Sequence, residues 1–151
     1  MPPDFLVTSA EDAHPFQEKA KTMTNQLLQL TDEQHALVGT VRDLARNMNF
    51  RGNSIKYLDR TYPWENLNAL AKIGVLDMSV PEEYGGTNLP VFDTALVIEE
   101  VAKGCYATAM ALMGMLGVQV RVISTYAPET MKQDILPKVA SGEVHLAVCM
   151  T

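Results

Sequence analysis

YATAMALMGMLGVQVRVISTY, residues Tyr106–Tyr126, is apolar nearly all the way round a helical wheel. A helix without a polar face has to be covered on most sides, so this segment predicts the centre of a helical bundle. It is rich in Ala, Met and Gly, and each glycine costs roughly 1 kcal/mol of helix propensity against Ala. Something must offset that cost. Either a second helix packs closely against Gly114 and Gly117, or a ligand needs room beside them, and the residues alone favour close packing. Met110, Met113 and Met115 suit an adaptable core or an apolar pocket equally well. The most apolar run, Tyr106 to Val120, falls short of a membrane span of roughly 20 residues and is expected in the bundle core.

The segments on either side are helical too. Thr31 followed by Gln34 has the pattern of a capping box, with Asp32 and Glu33 at the positive end of the helix dipole. Leu37, Val38, Val41, Leu44, Ala45 and Met48 then recur on one face of a 3.6-residue period. His35 falls off that face and reads as a solvated residue. After a polar stretch, Asn49 to Tyr62, Pro63 suits a first helical turn. Trp64, Leu67, Leu70 and Ala71 make a second apolar stripe, which Gly74 ends. A third helix is expected from Pro90 to about Lys103. Glu99 and Glu100 near its end are neighbours that do not share a face, so they read as solvated or partner-facing acids and not as an acid–base pair. A further helix starts at Pro128, runs past Pro137 and ends at Ser141–Gly142. Between the second and third helices lies VPEEYGG (Val80–Gly86). It predicts a turn in which the glycines take backbone angles closed to other residues and Tyr84 anchors the loop to the bundle.

Composition agrees with one compact domain. The chain has 151 residues, 47% of them hydrophobic, and a net charge of −6. That balance supplies no basic stripe for a nucleic-acid backbone. Cys105 and Cys149 lie far apart within apolar segments and suggest reduced thiols, not a disulfide framework. The histidines (His14, His35, His145) share no metal-ligand spacing, and no metal site is expected. The N-terminus lacks a continuous apolar h-region. A cytoplasmic location is expected, or the mitochondrial matrix for a processed eukaryotic form. Residues 1–30, interrupted by Pro2, Pro3 and Pro15, read as an N-terminal arm.

The period changes after Glu143. Val144, Leu146, Val148 and Met150 alternate with His145, Ala147, Cys149 and Thr151, the pattern of a strand. A single strand has no pairing partner here, so the sequence is expected to be the front piece of a larger protein or to pair with another chain. The fold class is therefore mainly α. A helical domain over 31–142 is followed by the first strand, 143–151, of an incomplete β-domain.

Taken in order, Leu30-Thr-Asp-Glu-Gln34, Ile73-Gly-Val-Leu76 leading into Val80-Pro-Glu-Glu-Tyr-Gly-Gly86, and Ile135-Leu-Pro-Lys-Val-Ala-Ser-Gly-Glu143 ending in Ala147-Val-Cys-Met-Thr151 resemble the N-terminal helical domain of the acyl-CoA dehydrogenase family of flavoproteins. The resemblance implies an FAD enzyme of fatty acid metabolism. A carboxylate removes the α-proton of an acyl-CoA thioester while the β-hydride passes to flavin N5, and an electron-transfer flavoprotein reoxidises the cofactor. It also implies a homodimer or homotetramer. By likeness, Val148, Met150 and Thr151 would contact the flavin, whereas Met110, Ala111, Gly114 and Val118 would line the acyl pocket. The catalytic carboxylate of the family falls outside these residues, so this chain alone is expected to be inactive. A flavin oxidase or monooxygenase on the same scaffold, or a non-catalytic helical interaction module, are the alternatives.

Overall fold

The computed structural model describes residues 29–59 and 61–149. The chain divides into two units, Met1–Glu33 and Gln34–Thr151, and most of the expected N-terminal arm lies outside the described residues. The described part is helical: α1 (Asp32–Asn47), α2 (Phe50–Asn53), α3 (Trp64–Ala71), α4 (Val91–Gly104), α5 (Tyr106–Gly114), α6 (Val120–Tyr126) and α7 (Glu129–Ala140). A π-helical turn, Met115–Gln119, joins α5 to α6. Cys105, in extended conformation, is the one residue between α4 and α5, which pack against each other. Tyr106–Tyr126 thus forms a continuous 21-residue helix with a mean hydropathy of 1.4 in its most apolar window. The apolar run Tyr106 to Val120, expected to be shorter than a membrane span, lies within this longer helix. By length and composition the helix could cross a membrane, because Val122 and Ile123 extend it beyond Val120. In this fold it is instead the central core helix. Its Ala109, Leu112, Met115, Leu116 and Val120 are buried and pack with Val97, Val101, Leu67 and Leu136.

Helix ends follow the punctuation of the sequence. Gly74 (φ 82°) and Gly142 (φ 78°) take left-handed angles just beyond α3 and α7, where a residue with a Cβ would be strained. The stretch between α1 and α3, read as merely polar, hides a core residue. Phe50 is fully buried, carried by a one-turn helix that Asn49 starts in left-handed conformation while its side chain accepts from Gly52 N. Trp64 shows the opposite error. Leu67 and Leu70 are buried as the α3 stripe requires, but Trp64 is 53% exposed, since it stands in the first turn beyond the packed face.

The VPEEYGG turn is held from both sides. Pro81 N-caps a 3₁₀ turn, Glu82–Tyr84, and Gly85 closes it with φ 84°. Gly86 needs no unusual angle; its requirement is steric, because a Cβ there would lie 2.0 Å from the carbonyl oxygen of Val80. The Tyr84 hydroxyl donates to both carboxylate oxygens of Glu129 at 3.0 Å, which ties the loop to α7. Burial, and then the carboxylate it faces, push the Tyr84 phenol up to about 12.

Glu100 departs from the solvated role expected of it. Its side chain is 6% exposed, against 66% for Glu99. Arg42 of α1 grips it through Nε at 2.8 Å and Nη2 at 3.1 Å, and Lys103 adds a third bond at 2.8 Å. Hydrogen bonding to Arg42 holds the Glu100 carboxyl down at about 2. Glu100 lies on the buried side of α4 with Val97 and Val101, and a charge there needs a partner.

The expected terminal strand is not formed over the described residues 144–149, which take no regular secondary structure. Alternation favours a strand but cannot make one alone, and no second strand stands among the described residues to complete the ladder. Met150 and Thr151 lie outside the described residues.

Candidate functional site

The long helix Tyr106–Tyr126 has two unlike sides. One is the core face just described. The other carries Tyr106, Met110, Met113, Val118, Val122 and Tyr126, from 41% to 81% exposed. The π turn explains how this stripe persists over 21 residues. One extra residue per turn resets the helical register, so residues after Gln119 stay aligned with those before Gly114 and do not spiral into the core. Single exposed apolar residues are ordinary on a protein surface, but a contiguous face of them marks an interaction surface or a ligand wall.

All the residues expected to line an acyl pocket fall on or beside this face. Met110 is 41% and Val118 49% exposed, and Ala111 and Gly114 are half-buried at its edge. The glycines behave differently from the packing expectation. A Cβ on Gly117 would meet nothing within 4 Å, and one on Gly114 would meet only the Gln119 side chain, at 3.2 Å from Nε2. Close helix packing within the described residues therefore does not account for them; they leave space on the open side. Close approach occurs instead at Gly104, where a Cβ would stand 3.1 Å from Cβ of Phe50. Gln119 adds a polar note to the apolar face. Its Oε1 is buried and accepts no hydrogen bond among the described residues, which suits it to receive a donor from outside the bundle.

A second exposed feature was missed in the sequence. Tyr62, Trp64 and His145 form a ring cluster, with centroids 4.8 Å apart for Tyr62–Trp64 and 4.7 Å for Trp64–His145. The Tyr62 hydroxyl lies 3.2 Å from His145 Nδ1, and burial lowers the His145 pKa. Tyr62 and His145 are separated by 83 positions in the chain, and no local pattern announces such a contact. Val148, the one expected flavin contact among the described residues, lies three residues beyond this cluster and is 50% exposed. Leu146–Cys149 make no backbone hydrogen bonds among the described residues. An apolar side chain beside unpaired backbone groups fits a flat, polar-edged ring system such as the isoalloxazine of FAD.

The family model described as "Acyl-CoA dehydrogenase, N-terminal domain" matches residues 31–143. The chain belongs to the acyl-CoA dehydrogenase family. Among curated members, a 3-sulfinopropanoyl-CoA desulfinase of Cupriavidus necator is 34% identical over 126 residues, covering 81% of this chain and 31% of the relative. A cyclohex-1-ene-1-carbonyl-CoA dehydrogenase of Syntrophus aciditrophicus is 33% identical over 111 residues, covering 73% of this chain and 26% of the relative. In structure, the chain resembles an acyl-CoA dehydrogenase from Bacillus anthracis complexed with FAD, with a TM-score of 0.68 and 24% identity over 76% of this chain and 20% of that one. That likeness shows the fold: this is the family's N-terminal helical domain. The chain spans less than a third of the length of these relatives.

Proposed function

We propose that this chain supplies the N-terminal domain of an FAD-dependent acyl-CoA dehydrogenase that oxidises an acyl-CoA thioester to the trans-2-enoyl-CoA. The observation that carries this reading is the open apolar face of Tyr106–Tyr126, whose Gly114 and Gly117 leave space where larger side chains would fill it. On this reading Met110, Ala111, Gly114 and Val118 wall the acyl chain and exclude water from it, and Gln119 Oε1 takes a hydrogen bond at the edge of that wall. Val148, Met150 and Thr151 hold the edge of the flavin, through main chain and the Thr151 hydroxyl. When bound, the flavin supplies the redox chemistry and the chain supplies orientation and a dry surface. The α-proton is removed by a carboxylate that belongs to another domain of the family. An electron-transfer flavoprotein as acceptor, assembly as a homodimer or homotetramer, and a cytoplasmic or mitochondrial-matrix location complete the proposal.

The test is anaerobic titration of the flavin-loaded protein that carries this domain with acyl-CoAs of increasing chain length. Bleaching of the flavin absorbance with at least one of them is expected; a flavin unaffected by all of them refutes the dehydrogenase reading. Gly114→Leu should shift the preference to shorter chains, and an unchanged chain-length profile would remove these residues from the pocket.

A second reading has a specific observation behind it. The desulfinase relative is named for cleavage of a sulfinate group from a CoA thioester. A desulfinase-type reaction here would break the C–S bond of a sulfinoacyl-CoA with uptake of one water, giving the acyl-CoA and sulfite with no net electron transfer to the flavin. Sulfite release without flavin bleaching on addition of a sulfinoacyl-CoA therefore separates the two.

A further inference from the structure

We propose that the cleft between the C-terminal half of α1, the one-turn helix α2 and the end of α4 binds a phosphate-bearing small molecule, with Arg46 and Arg51 as its principal contacts. The cleft has a volume of about 510 Å³ and is lined by Arg42, Arg46, Arg51 and Lys103, with Glu100 as the one carboxylate in its wall. The chain as a whole carries a net charge of −6, so this gathering of cations runs against its composition.

The cations are not equivalent. Arg42 and Lys103 are held by Glu100, Lys103 also reaches Glu99 at 3.1 Å, and the charge of Asp43 also acts on Arg42. Arg46 and Arg51 have no carboxylate within ion-pair distance among the described residues, and both are exposed. Like charges lining one cleft repel unless an anion joins them, and guanidinium forks match phosphate oxygens two at a time. Glu100 occupies Nε and Nη2 of Arg42 and leaves Nη1 as a further donor. Asn49 lines the same cleft. Its Oδ1 is used by Gly52 N at 3.2 Å, which leaves Nδ2 to donate. The absence of a side chain at Gly52 makes this possible, since a Cβ there would lie 2.4 Å from that nitrogen.

Arg46 and Lys103 stand in the last turns of α1 and α4 and so also complement those helix dipoles. A dipole role alone requires neither a cleft nor Arg51, which comes from a different element. The concave shape, of a size usual for small-ligand sites, favours a metabolite over the flat acidic surface of a protein. The cleft and its cations stand apart from the residues assigned to the flavin and the acyl chain.

The test is calorimetric titration of the 151-residue chain with inorganic pyrophosphate, ADP and CoA, at low and at physiological salt. Pyrophosphate should bind, more weakly as salt rises. The R46Q/R51Q variant, checked for an unchanged circular dichroism spectrum, should lose at least about tenfold in affinity. K72Q, a control at an exposed cation outside the cleft lining, should bind as the parent does. Binding of CoA alongside pyrophosphate assigns the phosphates of a CoA thioester as the source, and binding of ADP with rejection of CoA assigns a free nucleotide. Absence of pyrophosphate binding at low salt, or equal affinity in R46Q/R51Q and the parent, overturns the proposal.

Discussion

Replacing Glu100 with Gln removes a buried charge from the grip of Arg42 and Lys103, and its effect on stability can be worked out from the geometry. A carboxyl that titrates at about 2 in the fold, against an ordinary value of 4.5, contributes roughly 3 kcal/mol at neutral pH. The cations that hold it are themselves 42% and 56% exposed, and solvent screening brings the figure to about 2 kcal/mol. The sign comes from the direction of the shift. A carboxyl with a lowered folded pKa stabilises the fold above its unfolded pKa, and that contribution disappears as pH falls from about 5 to about 2. Urea denaturation monitored by circular dichroism should find E100Q less stable than the parent by about 2 kcal/mol at pH 7, or roughly 4–8 °C in Tm. The gap should narrow steadily on acidification, because the protonated parent then resembles the amide. A gap that stays constant from pH 7 to pH 3 would show that Glu100 acts through shape and not charge, and would refute the argument.

Three further outcomes are expected. Thr108→Val strands Asn66 Nδ2, which donates to Thr108 Oγ1 at 2.9 Å in a fully buried pair. It should cost about 1–3 kcal/mol, whereas N66L/T108V should cost less than the sum of the single changes in the same denaturation assay. Gly86→Ala and Gly117→Ala should have opposite signs. The first places a Cβ 2.0 Å from Val80 O and the second places it in open space on a helix, so thermal melts should show a loss of about 1–3 kcal/mol and a gain of up to about 1 kcal/mol. Tyr84→Phe should loosen the Val80–Gly86 loop from Glu129 at a cost of about 1–2 kcal/mol. Ultraviolet titration of the parent should then show one phenol, absent in the variant, ionising only near pH 12, in keeping with the raised Tyr84.

Much of the helical frame was legible because its signals are local. Gly74 and Gly142 end helices through backbone angles that a neighbouring sequence can specify, and Pro63, Pro90 and Pro128 each stand immediately before the helix they announce. The candidate acyl wall of Met110, Ala111, Gly114 and Val118 came from the resemblance to the family and not from spacing, because the π turn Met115–Gln119 sets which residues share that face. The reason for its glycines was not legible either. Whether a Cβ at Gly117 meets a neighbour depends on which helices lie across from it, and that is a property of the assembled bundle. The π turn escaped the sequence for a related reason: one extra residue in a turn leaves the composition unchanged and shifts only the register of the turns after it.

The amino-acid sequence by itself determined that this protein is a helical bundle of the acyl-CoA dehydrogenase N-terminal type. Apolar periodicity and caps act over a few residues, and VPEEYGG and LPKVASGE stand in order along the chain. Tertiary structure alone decided that Glu100 is a buried anchor between α1 and α4 and that Trp64 stacks outside the core with His145. It also decided that Arg46 and Arg51 line one cleft, and that Tyr106–Tyr126 keeps an open apolar side. Each of these depends on residues distant in sequence becoming neighbours, and the energy of a charge, a ring or a void is set by those neighbours.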